Sequence, residues 1–135
     1  MSPCILSGSR LQVERVVPSQ IRRGDVVCFI GADGQGVAHR VTAVVGQGKN
    51  LCFDIRGDAL TVGETVPASA VTFRVTVVTF RHFSYRTDGL FGRQMAECAL
   101  AQGALPNAAR RVVRGAIKTL ARVRRRVIDR VSQYW

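Results

Sequence analysis

The sequence predicts a mainly β domain followed by a basic helical tail. Over the first 80 residues, short runs rich in β-branched and aromatic residues alternate with turns that contain Gly, Pro, Asn and Asp, which is typical of an all-β fold. No helical segments separate these runs, as they would in an α/β fold. After residue 80 the composition shifts toward alanine and arginine. We therefore expect a β domain over residues 1–80 and a tail over residues 81–135.

Five apolar runs predict the strands of the β domain. The Asp33-Gly34 pair between the second and third runs favours a hairpin turn. Residues 61–68, which contain a glycine and a proline, predict a loop. In the last run, alternation predicts that Val71, Phe73, Val75 and Val77 share one face. The predicted strands are residues 9–17, 24–30, 37–45, 51–55 and 71–80.

The net charge of +11 is concentrated in the tail. Residues 1–80 carry eight Lys/Arg against six Asp/Glu, whereas residues 81–135 carry twelve against three. Residues 91–104 are rich in alanine and predict a helix. Over residues 108–131, apolar residues recur at three- and four-residue steps with arginines between them, which predicts a basic amphipathic helix. Any binding partner suggested by the charge therefore concerns the tail.

The cysteines and histidines predict neither a metal site nor another cofactor. The spacing of the four cysteines matches no metal-binding pattern with His39 or His82. Cys28 and Cys52 lie in apolar runs, so we interpret them as small buried hydrophobic residues in a reducing compartment. No apolar stretch reaches the about 20 residues that span a bilayer, and no signal peptide is recognisable at the N-terminus. These features predict a cytoplasmic or peripheral membrane protein.

His39 and Asp58 are the candidate residues for acid–base chemistry. His39 lies within an otherwise apolar, β-branched strand, where a histidine is either a core residue or a general base that titrates near neutral pH. Such a base needs an acceptor on its second nitrogen, which fixes the tautomer. Asp58 follows a strand end and a glycine, on a turn that could reach His39. The alternative for Asp58 is a turn acid that caps its own backbone.

The order of three motifs resembles signal peptidase I. Gly24-Asp25 begins an apolar strand, His39-Arg40-Val41 lies in the next strand, and Arg56-Gly57-Asp58 ends a third. This order is most similar to the branch found in archaea, in the endoplasmic reticulum and in some bacterial operons. The resemblance covers roughly residues 1–80. It implies a coiled β-sheet of the signal peptidase and LexA type, His39 as general base and Asp58 as its orienting acid. It also implies cleavage after small residues of a peptide or protein substrate that is bound as an extended strand.

The nucleophile of that family is the serine of a Ser-Met-x-Pro box. This chain begins Met1-Ser2-Pro3, which matches the Met-x-Pro part, so the serine would be the residue directly before Met1. Ser2 is out of register, because neighbouring side chains on an extended chain point in opposite directions. Cys4 is a capable nucleophile, but the resemblance gives it no such place. The expectation is a serine endopeptidase domain whose nucleophile is absent from the chain as given.

Several residues depart from the family pattern. Arg56 replaces a lysine before Gly57-Asp58, and Ala59 and Leu60 replace polar residues. Phe73 replaces a glycine common in the last strand. Glu64 stands roughly where some relatives have a second acid.

The tail leaves three interpretations open. The 108–131 helix could lie on an anionic membrane surface, with Tyr134 and Trp135 at the interface. It could bind nucleic acid phosphates, although no aromatic residues are interleaved with its arginines for base stacking. It could also simply pack on the β domain. The alternative to an enzyme is therefore an inactive relative that binds a membrane or nucleic acid through its tail. The sequence does not predict an oligomeric state.

Overall fold

The described part of the chain forms seven strands and one α-helix. The computed structural model describes residue 5, residues 8–31, residues 33–104 and residue 109. Three short 3₁₀ turns, Pro18–Gln20, Gly48–Asn50 and Ala68–Ala70, connect some of the strands. The strands are β1 (Arg10–Arg15), β2 (Val26–Ile30), β3 (Gly36–Val45), β4 (Cys52–Arg56), β5 (Glu64–Pro67), β6 (Val71–Phe80) and β7 (Phe83–Arg86), and the helix is α1 (Leu90–Ala104).

All seven strands belong to one antiparallel sheet with the order β1-β6-β2-β3-β4-β5. The strand β7 pairs with the second half of β6. The five predicted strands correspond to β1, β2, β3, β4 and β6. The prediction of a mainly β fold followed by helix is therefore confirmed.

The loop predicted over residues 61–68 is wrong in its second half. Residues Glu64–Pro67 form β5, which pairs antiparallel with β4. The strand is short and lies at the edge of the sheet, where a proline is tolerated because no further strand requires its missing N–H. Pro67 is the last residue of β5 and pairs with Cys52. The proline that suggested a break therefore ends an edge strand.

The sheet buries apolar residues on both faces. On β2, Val27 and Phe29 belong to one buried cluster, whereas Val26 belongs to a second. Because adjacent strand residues point to opposite faces, the two clusters lie on opposite sides of β2. The first cluster contains Val16, Ile21, Val27, Phe29, Val41, Phe53, Ile55, Val66 and Val71, and the second contains Val26, Val75 and Val78.

Irregularities in pairing change which residues of β6 are buried. Gln12 pairs with Val77 and Val13 with Val75, so Thr76 is an extra residue in β6 relative to β1. A bulge of this kind shifts the alternation of side chains. As a result Val78 is 2% exposed, whereas Val77 is only half-buried. The prediction that Val71, Phe73, Val75 and Val77 share one face is therefore wrong for Val77. It is also wrong for Val71, which belongs to the first cluster whereas Val75 belongs to the second, because the pairing with β2 shifts between Phe73 and Val71.

The sheet continues beyond residue 80 through β7, and α1 follows it. The helix predicted over residues 91–104 is confirmed as α1, which buries Ala96, Ala99 and Leu100. Residues up to Gly103 form one compact unit. No helix among the described residues is sufficiently long and apolar to cross a membrane. The predicted basic helix over residues 108–131 lies outside the described residues, apart from Ala109.

Candidate functional site

His39 lies in the middle of β3, directly opposite Val27 of β2. Its ring packs edge-on against Phe29, with 5.9 Å between ring centroids, and its side chain is 18% exposed. Directly paired residues of an antiparallel sheet share a face, so His39 lies on the same face as the larger apolar cluster. This environment holds the imidazole firmly and leaves part of it accessible.

Asp58 is paired with Arg40, the neighbour of His39 on β3. The Nε atom of Arg40 donates to Oδ1 of Asp58, and its Nη2 atom donates to Oδ2, both at 2.8 Å. The two side chains are 6% and 5% exposed. A bidentate geometry is the strongest form of this ion pair, which is needed because burying two charges is costly. Asp58 therefore neutralises Arg40 inside the domain.

The acid beside Nδ1 of His39 is Glu64, at the start of β5. Its Oε1 atom lies 3.5 Å from Nδ1. The register of the sheet explains this placement, because Glu64 pairs with Ile55 and Ile55 pairs with Val41. Directly paired residues share a face, so Glu64, Val41 and His39 lie on one face of the sheet. Arg40 points to the opposite face, because adjacent residues of a strand alternate.

The Nδ1 atom is buried and makes no hydrogen bond within the part of the chain that the structure describes. The 3.5 Å distance to Glu64 is longer than the usual hydrogen-bond range of about 2.7–3.2 Å. Because the carboxylate of Glu64 is 54% exposed, it has room to move toward His39.

The other imidazole nitrogen, Nε2, lies beside Gly57. A methyl group added at Gly57 would lie 3.3 Å from Nε2, so glycine leaves this side of the ring uncovered. Gly57 begins a tight turn that the N–H of Leu60 closes by donating to the Gly57 carbonyl at 2.8 Å. This turn, immediately after β4, brings both Asp58 and Gly57 to the His39-Arg40 pair.

His39, Arg40, Gly57 and Asp58 line one cavity of about 260 Å³. The other described residues that line it are apolar, namely Ile5, Val26, Ala38, Ala59 and Leu60. The structure therefore brings the two sequence-predicted residues, His39 and Asp58, to one cavity.

The described residues that line the cavity carry no hydroxyl or thiol group. Ile5 follows the Met1-Ser2-Pro3 segment closely in sequence and lines the cavity beside His39, whereas Ser2 and Cys4 lie outside the described residues. Within the described ranges, no group of three or more His, Cys, Asp and Glu side chains could hold a metal ion. The chemistry available from this part of the chain is that of an imidazole with a carboxylate beside it.

Comparison with known proteins gives one match. Signal peptidase I W of Bacillus subtilis (strain 168) is 27% identical to this chain over 82 residues, which are 60% of this chain and 43% of that protein. The chain therefore spans less than half of the relative that it matches. The comparison supports a signal peptidase I-like relationship. No protein-family model and no solved structure matches the chain.

The sequence points to Glu64 only through the family resemblance, as a residue standing roughly where some relatives have a second acid. Nothing in the local pattern distinguishes it from a solvent-exposed acid, because it lies in a segment that reads as a loop. Its proximity to His39 arises from the pairing of β5 with β4.

Proposed function

We propose that this chain carries the general-base part of a serine endopeptidase of the signal peptidase type. His39 is the general base and Glu64 is the acid that orients it. The observation that carries the proposal is the arrangement around the imidazole. Glu64 lies 3.5 Å from Nδ1, and Nε2 lies beside Gly57 at a cavity that Ile5 also lines.

The nucleophile in this proposal is a serine directly before Met1. The Met-Ser-Pro sequence that would follow it leads to Ile5, which lines the same cavity as His39. The similarity to signal peptidase I W over 82 residues supports the peptidase-like relationship on which this assignment depends.

The two nitrogen atoms of the His39 ring have different roles in the proposed reaction. Nε2 of His39 removes the hydroxyl proton as the serine oxygen attacks the scissile carbonyl carbon, and Nδ1–H is held by Glu64. The imidazolium then gives its proton to the leaving amine, and an acyl-enzyme ester remains. Water attacks this ester, with Nε2 taking a proton from the water and returning it to the serine oxygen. Each cycle cleaves one peptide bond and regenerates both residues.

Asp58 has a different role in this proposal from the orienting role that the sequence suggested. Because both of its oxygens accept hydrogen bonds from Arg40, it acts as a positioning residue that holds the Gly57 turn beside Nε2. In this proposal the base is a histidine and not a lysine, as in the branch known from archaea and the endoplasmic reticulum. The substrate in this proposal is a protein segment bound as an extended strand and cleaved after a small residue.

The test is a pair of chains that differ only in the residue placed directly before Met1. One chain carries serine there and the other carries alanine, and both are assayed with a fluorogenic peptide containing a signal-peptide cleavage site. We expect hydrolysis only with serine, and we expect His39→Ala to abolish it. Equal hydrolysis with serine and alanine would refute the nucleophile, and full activity of His39→Ala would refute the base.

A folded serine-bearing chain that cleaves no signal-peptide substrate would contradict the proposal. The result would instead favour an inactive relative that binds through its basic tail. Circular dichroism of both chains establishes that the sheet is intact before activity is compared.

A further inference from the structure

Helix α1 lies against the turn that precedes β2. Gly24 has no side chain, but a methyl group built there would lie 3.5 Å from Cβ of Ala96, so the helix approaches the turn closely. Ala96 is 9% exposed. Arg23 and Glu97 extend the contact as an ion pair of 4.0 Å, although exposed pairs of this kind contribute little. The helix therefore passes directly over the Gly24 turn.

Two backbone hydrogen bonds fasten this turn to β3. The N–H of Gly24 donates to the carbonyl of Val41 at 2.9 Å, and the N–H of Val41 donates to the carbonyl of Asp25 at 2.8 Å. Gly24 has a φ of +96°, which favours glycine because other residues are strained in this region. The turn is therefore fixed in a shape that presents its own carbonyl group to β3.

The carbonyl of Gly24 is a hydrogen-bond acceptor for Arg40. Nη1 of Arg40 donates to it at 2.8 Å, while Nε and Nη2 donate to Asp58. The planar guanidinium thus joins the Gly24 turn on one side to the Gly57 turn on the other. Gly57, next to Asp58, lies beside Nε2 of His39. Hydrogen bonds of Arg40 to Gly24 and to Asp58 therefore connect the Gly24 turn with the candidate site.

We propose that α1 is an intramolecular brace of the candidate active site, with Ala96 as its positioning residue. The close approach of Ala96 limits movement of Gly24 and so keeps its carbonyl in place for Arg40, and the Arg40–Asp58 pair keeps the Gly57 turn beside His39. The catalytic meaning of this brace rests on the proposed function. The mechanical coupling from α1 to Arg40 is measurable without any catalysis.

The experiment follows the Nε–H of Arg40 by NMR in the full chain. A buried Nε–H that donates to Asp58 exchanges slowly with water, and its resonance is assigned by its loss in Arg40→Lys. We expect Ala96→Leu to separate α1 from the turn and to accelerate this exchange about tenfold or more, because local opening sets the exchange rate. The matched control is Ala101→Leu, at an exposed position of the same helix, which we expect to leave the exchange unchanged.

A second control separates a local effect from a general loss of stability. Val71→Ala removes part of the buried core and lowers global stability without touching α1. If Val71→Ala accelerates Arg40 exchange as much as Ala96→Leu at equal global stability, the brace is refuted. It is equally refuted if the amides of α1 lose protection in Ala96→Leu while the exchange of Arg40 stays unchanged.

Should Ala96→Leu fail to fold, Ala96→Gly takes its place and is compared with Ala101→Gly. Both carry the same intrinsic cost to the helix, but only the first removes the methyl group that faces Gly24. Faster Arg40 exchange in Ala96→Gly alone supports the brace, and equal exchange in the two variants overturns it. A serine-bearing chain that cleaves nothing, but shows this exchange pattern, refutes the proposed function and leaves the brace standing.

Discussion

Arg40 and Asp58 form a bidentate ion pair that is almost fully buried, with both hydrogen bonds at 2.8 Å. The third donor group of Arg40 is occupied by the Gly24 carbonyl. The pair therefore connects β3 with the turns on either side of the cavity. A buried ion pair adds little net stability over apolar residues of the same shape, but loss of one partner is costly.

Asp58→Ala should therefore destabilise the domain severely, by about 3–5 kcal/mol, because it leaves the Arg40 charge buried without its partner. The measurement is urea unfolding monitored by circular dichroism. The matched control is Asp88→Ala, which breaks the exposed pair with Arg86 and should leave the free energy of unfolding nearly unchanged. The double variant Arg40→Met/Asp58→Ala should be more stable than Asp58→Ala alone. Additive losses in the double variant would contradict the coupling.

Glu64→Gln should reduce kcat of the serine-bearing chain by about 10²–10⁴-fold, because a neutral amide stabilises the imidazolium poorly. Stability should change little, since the side chain is 54% exposed. Kinetic assays at pH 7 check this prediction. Asp88→Asn, at the exposed pair with Arg86, is the matched control. Full activity of a folded Glu64→Gln chain would contradict the orienting role of Glu64.

The sequence predicts the strands in which apolar residues form a continuous run or alternate with polar residues. β2 is a continuous apolar run, because its two faces contribute to two buried clusters, and β1 shows the alternation of a partly exposed strand. In β5 only Val66 is buried, and its remaining residues read as a loop. An edge strand that buries one side chain carries too little apolar periodicity to be recognised.

The choice between Asp58 and Glu64 depends on long-range pairing. Their distance in sequence from His39 favours neither acid, because both follow β4 within a few residues. Asp58 is directed to Arg40 by the turn after β4, whereas Glu64 is brought to the His39 face by its pairing with Ile55. The sequence therefore predicts His39 and Asp58, which line one cavity, but the register that brings Glu64 to Nδ1 is a property of the folded sheet.

Cys28 should react slowly with iodoacetamide at neutral pH. Burial raises the pKa of the Cys28 thiol above its ordinary value of 9.0, so the reactive thiolate is scarce. Cys98 is exposed on α1 and should be alkylated much sooner, as mass mapping of a time course would show. Loss of the slow alkylation phase in Cys28→Ala assigns that phase to Cys28. Rapid alkylation of Cys28 in the folded chain, at a rate equal to that of Cys98, would contradict its burial.

The same shift predicts how Cys28 affects stability at high pH. Because the pKa of the Cys28 thiol is raised in the folded state, the folded state disfavours the thiolate. The contribution of the neutral thiol to the free energy of unfolding is therefore present below pH 9. It is lost as the pH rises above that value. Urea unfolding at pH 7 and pH 10 should show a smaller loss of stability in Cys28→Ala than in the parent chain. An equal loss of stability in the two chains would show that the Cys28 thiol does not contribute to the destabilisation at high pH.

Gly57→Ala should reduce access to Nε2 of His39 without lowering the stability of the domain. The backbone of Gly57 lies outside the left-handed region, so alanine fits it and should leave stability equal or slightly higher. The added methyl group would lie 3.3 Å from Nε2 of His39 and 3.0 Å from Cδ1 of Leu60. Leu60 is about half exposed and can move aside, whereas the imidazole is held by Phe29. The methyl group therefore stays over Nε2.

The measurement is the rate at which diethyl pyrocarbonate modifies His39, with exposed His82 as the internal reference. We expect Gly57→Ala to slow modification of His39 severalfold and to leave His82 unchanged. Gly36→Ala, where an added methyl group meets nothing within 4 Å, should alter neither rate. In the serine-bearing chain the same substitution should lower kcat/KM without loss of fold, since Nε2 must reach the hydroxyl proton. Unchanged modification of His39 in Gly57→Ala would mean that Nε2 is approached from another side, and Gly57 would then have no part in the site.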